Sequence, residues 1–208
     1  MKPGRYDFII DQGANWGQTF YFGNTAVGLA LLPSSPYTVV VDGVAKTFTR
    51  NDGGSWLTDG LVTSNYLVCA GFQNQVNNGS HLITNVTAKV ITCDGDTLTT
   101  ETASPSISGQ TVMVVKAMDF TAATGASMIR QQYSDVSPTV TITVAFSGTP
   151  TDGSIALSLT HVQTAAIPAG KDVCSQASQY VWDLNVTQSS LVTRMLEGKV
   201  SIDPSATH

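Results

Sequence analysis

Tyr180-Val-Trp-Asp-Leu-Asn-Val186 and, beyond a polar turn, Leu191-Val-Thr-Arg-Met-Leu-Glu-Gly-Lys-Val-Ser-Ile202 decide the fold. In the first run Tyr180, Trp182, Leu184 and Val186 fall on one face, with Asp183 and Asn185 on the other, the period-2 pattern of a half-buried strand. Burying one such apolar side chain contributes roughly 1.5–3 kcal/mol. The pair is therefore read as the hairpin that closes a core, and its partners should be strands of the same grain elsewhere in the chain.

Such strands stand at both ends. Arg5 to Ile10 places Tyr6, Phe8 and Ile10 on one face, turns through Asp11-Gln-Gly-Ala14, and is answered by Asn15 to Phe22 with Trp16, Phe20 and Phe22 on one side; this predicts an aromatic β-hairpin. A short apolar piece, Ala26 to Pro36, follows it. Beyond residue 117, Ala126–Gln131, Thr139–Phe146 and Ser154–Leu159 read as strands. Thr160–Ala166, stopped by Pro168 and Gly170, reads as the one short helix. The middle has a different grain. Short strands at Thr38–Val41, Ala45–Arg50, Tyr66–Ala70, His81–Thr84, Lys89–Cys93, Thr97–Thr100 and Thr111–Val115 alternate with turns at Asp42-Gly43, Asn51-Asp-Gly-Gly54, Asn77-Asn-Gly79 and Asp94-Gly-Asp96. Even spacing without a 3.6-residue period predicts a small barrel or sandwich, and the cluster Pro33-Ser-Ser-Pro36 marks its start. The expected architecture is all-β: a split sandwich of residues 1–35 and 117–208, interrupted by an inserted small β-barrel domain at residues 36–116.

Composition narrows the function. Of 208 residues 12% are charged, against roughly 25% in an average soluble protein, which suits a part packed against neighbours. The net charge of −5 and ten thinly spread Lys and Arg leave no basic stripe for a phosphate backbone, so nucleic acid is not an expected partner. No run approaches the ~20 apolar residues of a membrane span, and no apolar signal core follows Met1-Lys-Pro-Gly-Arg; synthesis and folding in a cytoplasm are expected. Cys69, Cys93 and Cys174 are odd in number and lack a C-x-x-C pair, so they read as small core hydrophobes.

Catalysis needs convergent groups, yet His81, His161 and His208 are far apart in sequence, and no H-E-x-x-H, G-x-S-x-G or phosphate-cradling glycine loop is present. No catalytic residue, cofactor or metal is expected; Asp94-Gly-Asp96 offers too few oxygens for Ca²⁺ and reads as a turn. Trp182 and Trp56 read as core, whereas Trp16 stays open as a stacking platform. The run Phe20-Tyr21-Phe22 must put a ring on each face of its strand. Trp16, Phe20, Tyr21 and Phe22 are thus the candidate interface residues. In the closing pair, Arg194 has two readings: a fork onto Asp183 or Glu197, or an edge charge that blocks unwanted strand addition.

The ends carry a resemblance. Gly4 to Phe20, Met118 to Arg130, Asp152 to Leu157, Thr160 to Gly170, Tyr180 to Leu184 and Val192 to Ile202 follow the order of a group of tailed-bacteriophage virion proteins. That resemblance implies an immunoglobulin-like β-sandwich similar to the N-terminal module of baseplate upper proteins that anchor receptor-binding parts. Thr47 to Gly60, Ala70 to Ser80 and Leu82 to Ala88 in the insert are similar to a small β-barrel of phage tail proteins. It implies a non-enzymatic virion protein that attaches a tail, baseplate or fibre component in multiple copies, with other virion structural proteins and copies of itself as partners, and no membrane. A capsid decoration or head–tail connector protein is the alternative within that class. A receptor-binding, carbohydrate-recognising module is the alternative from another class, to be told by an exposed aromatic beside Asn, Asp or Gln.

Overall fold

A computed structural model describes residues 3–94, 97–105, 109–169 and 178–204, with the side chain of Ser178 excepted. The chain is all-β. Its strands in order are β1 (Gly4–Arg5), β2 (Phe8–Asp11), β3 (Trp16–Tyr21), β4 (Gly23–Leu31), β5 (Val39–Asp42), β6 (Thr47–Arg50), β7 (Tyr66–Ala70), β8 (Gly79–Val86), β9 (Val90–Cys93), β10 (Glu101–Ala103), β11 (Val112–Ala117), β12 (Thr124–Arg130), β13 (Val140–Phe146), β14 (Ser154–Leu159), β15 (Ser178–Gln188) and β16 (Leu191–Asp203). The helix α1 (His161–Ala165) is capped by Thr160, whose side chain accepts from the Gln163 amide while the Gln163 side chain accepts from Thr160, a reciprocal capping box.

Two eight-stranded sheets result. One runs β1-β16-β15-β12-β13-β14-β3 with β2 also on β16; the other runs β10-β5-β6-β9-β8-β7-β11-β4. The second sheet uses one continuous stretch, Gly23 to Ala117. Compact packing follows the same division: one unit holds residues 1–19, 122–146 and 155–208, the other 20–121 and 147–154. The stretch 26–31 therefore belongs with the second sheet. β4 pairs antiparallel with β11, from Val112↔Leu31 to Ala117↔Gly23, and Pro33-Ser-Ser-Pro36 is the turn that follows, with the Ser35 amide on the Leu32 carbonyl at 2.8 Å.

In the first unit the closing hairpin is the centre. β15 and β16 pair from Gln188↔Leu191 to Ser178↔Ile202, and Tyr180, Trp182, Leu184 and Val186 are all buried, as their alternation predicts. β13 pairs β12 through Val140–Ile142 and β14 through Thr143–Phe146, so one strand serves two ladders, consistent with a β-sandwich. The expected hairpin of the first two segments does not form. β2 lies parallel to β16, with Phe8 opposite Val200 and Ile10 opposite Ile202, while β3 stands at the far end of the path beside β14. Their rings meet instead of their edges: Phe8 stacks on Trp16 at 4.4 Å and meets Trp182 edge-on at 5.1 Å. Alternation identifies each buried face but not which strand supplies the neighbouring edge.

The parallel docking depends on Gly198. Trp182 donates its indole N–H to the Tyr6 carbonyl at 2.7 Å, and a Cβ on Gly198 would overlap that carbonyl oxygen. The Tyr6 amide reaches the Glu197 carbonyl at 3.0 Å, and the Lys199 amide reaches Asp7 Oδ1 at 2.7 Å.

In the second unit Trp56, Phe48, Leu61, Leu67, Ile83 and Ile91 form the middle of the core. Trp56 is buried, as expected, but in a turn, where its indole N–H reaches the Lys89 carbonyl at 2.9 Å. Two buried polar groups organise the loops. Arg50 forks onto Asp52 at 2.6 and 2.5 Å, also holds Asp59, and lies 4.4 Å from the Trp56 ring centre. Asn77 accepts from the Thr99 amide and donates to the Thr99 carbonyl, each at 2.9 Å. That side-chain amide takes the place of a neighbouring strand, so the expected strand Thr97–Thr100 is unpaired and pairing resumes at β10. Glu101, on β10, accepts from the amides of Gln73 and Asn74 and from both Asn side chains of residues 74 and 77.

Two outcomes follow for stability. Gly198→Ala should lower stability by about 1–3 kcal/mol through overpacking in urea unfolding, whereas Gly148→Ala, with open space around it, should not; equal effects would contradict the close approach of β1–β2 to Gly198. The Arg50 guanidinium beside Asp52 holds that carboxyl below its ordinary value. A carboxyl depressed in the folded state contributes stability that is complete above the ordinary range and lost as pH falls through the folded value. Asp52→Asn should therefore flatten the acid limb of stability against pH, and an unchanged limb would count against the pair.

Candidate functional site: a charged face on the closing hairpin

Residues directly opposite on neighbouring strands point to the same face. The register places Met128, Asp183, Glu197 and Arg5 in one row across β12, β15, β16 and β1. The adjacent row is Arg130, Val181 and Lys199. This is the face opposite Trp182 and Leu184, and it carries a carboxylate row beside a row with a cation at each end.

Asp183 opposite Glu197 sets like charges together, a destabilising arrangement. Arginine relieves it. Arg194 lies 3.6 Å from Asp183 Oδ2 and 3.3 Å from Glu197 Oε2, and Arg130 lies 3.4 Å from Asp183 Oδ1. Arg194 can serve both because of a register shift: Leu184 faces Leu196, but Asn185 faces Arg194. Met195 is the extra residue of this bulge, which turns Arg194 onto the face of Glu197 despite their odd spacing. Arg194 thus meets both expected carboxylates, one nitrogen to each, without a bidentate fork on either. Its edge-charge reading also stands, because β1 and β2 pair with β16 only at Leu196–Glu197 and Val200–Asp203, and Arg194 lies beyond them.

The loop after β12 walls the face. Asp135 Oδ2 accepts from the Gln132 amide at 2.9 Å, and the Thr139 amide returns to the Ile129 carbonyl at 2.8 Å. Tyr133 from this loop donates its hydroxyl to the Gly198 carbonyl at 3.3 Å, and the Arg194 guanidinium lies 5.9 Å from its ring centre. Burial, then the neighbouring Glu197 charge, pushes the Tyr133 hydroxyl above its usual range. Asp7 is held below the carboxylate range, first by the Lys199 amide. Arg5, Tyr133, Val181, Glu197, Gly198 and Lys199 enclose a cleft of about 180 Å³.

Three of the chain's four arginines thus gather on one face. Together with Lys199 they make four cations gathered beside the carboxylates Asp7, Asp183 and Glu197, on a chain of net charge −5. Chemically, the face can offer charge-assisted donors and acceptors side by side.

The candidate interface residues divide between the two units. Trp16, half-buried on Phe8, belongs to the first; Phe20, Tyr21 and Phe22 belong to the second. Phe22 is half-buried and meets Phe120 edge-on at 5.8 Å, while Tyr21 is exposed. His81 is buried with Nε2 3.2 Å from the Asn77 carbonyl oxygen, and His161 opens α1. His208, Cys174, Gly95 and Asp96 lie outside the described residues. Cys69 and Cys93 are buried in the second core. Among the described residues no cluster of three or more His, Cys, Asp and Glu side chains is placed to hold a metal. Sequence reasoning missed Arg5, Arg130, Tyr133 and Lys199, because only the register, the bulge and the loop path bring them together.

No family model matches the chain, and no characterised protein matches it in sequence.

Asp183, 6% exposed in its side chain, is the anchor of this face. Asp183→Ala leaves Arg130 without its carboxylate and should cost about 3 kcal/mol in urea unfolding. Glu197→Gln, at a 36% exposed side chain, should cost under about 1 kcal/mol. Equal costs would show that Asp183 does not anchor the arginines.

Proposed function

We propose that the protein is a non-enzymatic structural component of a tailed-bacteriophage particle that attaches a tail, baseplate or fibre part in multiple copies. In this reading the first unit is an immunoglobulin-like sandwich and the second a small barrel-like insert. The ordered sequence motifs supply the phage setting. The surface chemistry supports an assembly role, since a rigid β hairpin with an apolar tip suits a repeated contact better than a charged one does.

The observation that carries the reading is the tip of the closing hairpin. Ser189 and Ser190 turn the chain with φ of 50° and 68°, the pair of left-handed residues used by tight hairpins. Leu191 and Val192 then stand 70% and 62% exposed. Two large apolar side chains held in water at the end of an eleven-residue and a thirteen-residue strand gain most when another surface covers them. As neighbours on one strand they face opposite sides, so the tip suits insertion between surfaces.

A Leu191→Asp, Val192→Asp double variant should keep the parent melting temperature. Covering each side chain contributes roughly 1.5–3 kcal/mol, so co-sedimentation with purified virion proteins should weaken by at least about tenfold. Undiminished co-sedimentation would remove the tip from the contact, and a monomeric parent that binds no virion protein would overturn the assembly reading.

A further inference from the structure

We propose that the cleft beside the closing hairpin binds a carboxylate-bearing sugar residue, a function separate from attachment through the hairpin tip. The register specifies what an occupant must offer. Val181, on the floor, lies between Arg130 and Lys199 in its row. The neighbouring row presents Glu197 between Asp183 and Arg5. An occupant over both rows meets cations on one side and a carboxylate acceptor on the other, so it must carry an anionic group and hydrogen-bond donors a few ångströms apart. A plain anion is repelled by Glu197, and an ammonium is repelled by Lys199 and Arg5.

The cations are available. Arg5 is paired with Asp7 at 3.3 Å, but the two side chains are 67% and 49% exposed, and such a pair is worth little in water. The Lys199 ammonium has no ion pair within 4.0 Å among the described residues. Arg130 stays on Asp183 at 3.4 Å and lies behind the cleft, which Arg5 and Lys199 line. Asp183 is buried under two arginines, whereas Glu197 is 36% exposed and meets Arg194 through Oε2, which leaves Oε1 as the acceptor for an incoming hydroxyl.

The wall favours a ring. Tyr133 is 49% exposed, its hydroxyl is tied to Gly198, and its loop is closed by its own hydrogen bonds, so the ring is held in place before a ligand arrives. An aromatic plate with one polar end offers an amphipathic surface to the C–H face of a sugar. Gln131 and Gln132, both exposed beside it, add amide donors and acceptors. A cleft of about 180 Å³ suits one sugar unit with a carboxylate aimed at Lys199 and Arg5, one hydroxyl donating to Glu197, and a ring face on Tyr133. Trp16, stacked on Phe8 at 4.4 Å, is not part of this site.

The test uses the full chain and saturation-transfer NMR with four probes: D-glucuronate, D-glucose, acetate and N-acetylglutamate amide. Glucuronate should bind, with transfer strongest to its ring C–H protons, and the other three should bind far more weakly. Because it removes a charge-assisted hydrogen bond, Lys199→Gln should weaken glucuronate binding at least about tenfold. Tyr133→Ala should abolish the ring-proton transfer, and amide spectra will verify that both variants stay folded. If glucose binds as well as glucuronate, or acetate binds as well, the two-part recognition is overturned. Equal binding of N-acetylglutamate amide would overturn the sugar class in favour of an acidic protein side chain. Absence of glucuronate binding would overturn the site and leave the hairpin-tip contact untouched.

Discussion

The indole N–H of Trp182 on the carbonyl of Tyr6, at 2.7 Å, ties the two ends of the chain into one sheet. Everything nearby is arranged around that close approach. Gly198 clears the space for the carbonyl, Phe8 fills the angle between Trp16 and Trp182, and the amides of Tyr6 and Lys199 find acceptors across the join. A parallel pair cannot be closed by a short turn. Here the crossover is almost the whole chain, including the second sheet, so the loop-closure cost falls on residues that build their own core.

That join also gives the hairpin its two surfaces. With β1 and β2 covering β16, the inner face is apolar and buried, the outer face carries the charged rows, and the tip projects Leu191 and Val192. An uncovered β16 would expose a long row of unpaired backbone groups, a template for unwanted strand addition. The N-terminal segment pairs with that edge at Leu196–Glu197 and Val200–Asp203, which holds the part of β16 that carries Glu197 and Lys199.

Much of this was legible in the residues, and the reasons are physical. Burial of Tyr180, Trp182, Leu184 and Val186 follows from alternation, because a pleated strand leaves no freedom about which side chains share a face. The short helix α1 was readable from its stops at Pro168 and Gly170, whereas its capping box came only with the structure. Pairing was not: the first two segments have the composition of a hairpin, yet they pack ring against ring. The Ala26–Leu31 piece looked like a tail of the first domain because its β11 partner lies far along the chain. The charged face needed still more, since Arg194 and Glu197 share a face only through the bulge at Met195, and Asn77 replaces a strand with a side chain that no pattern marks.

β1 and β2 are integral to the sheet that β15 and β16 close. Native-state hydrogen exchange on the intact chain measures this directly, because an amide in the cooperative core opens only with the whole unit. The amides of Phe8 and Ile10 should exchange as slowly as those of Trp182 and Val200. Exchange of the β2 amides orders of magnitude faster, with β15 and β16 still protected, would contradict that pairing.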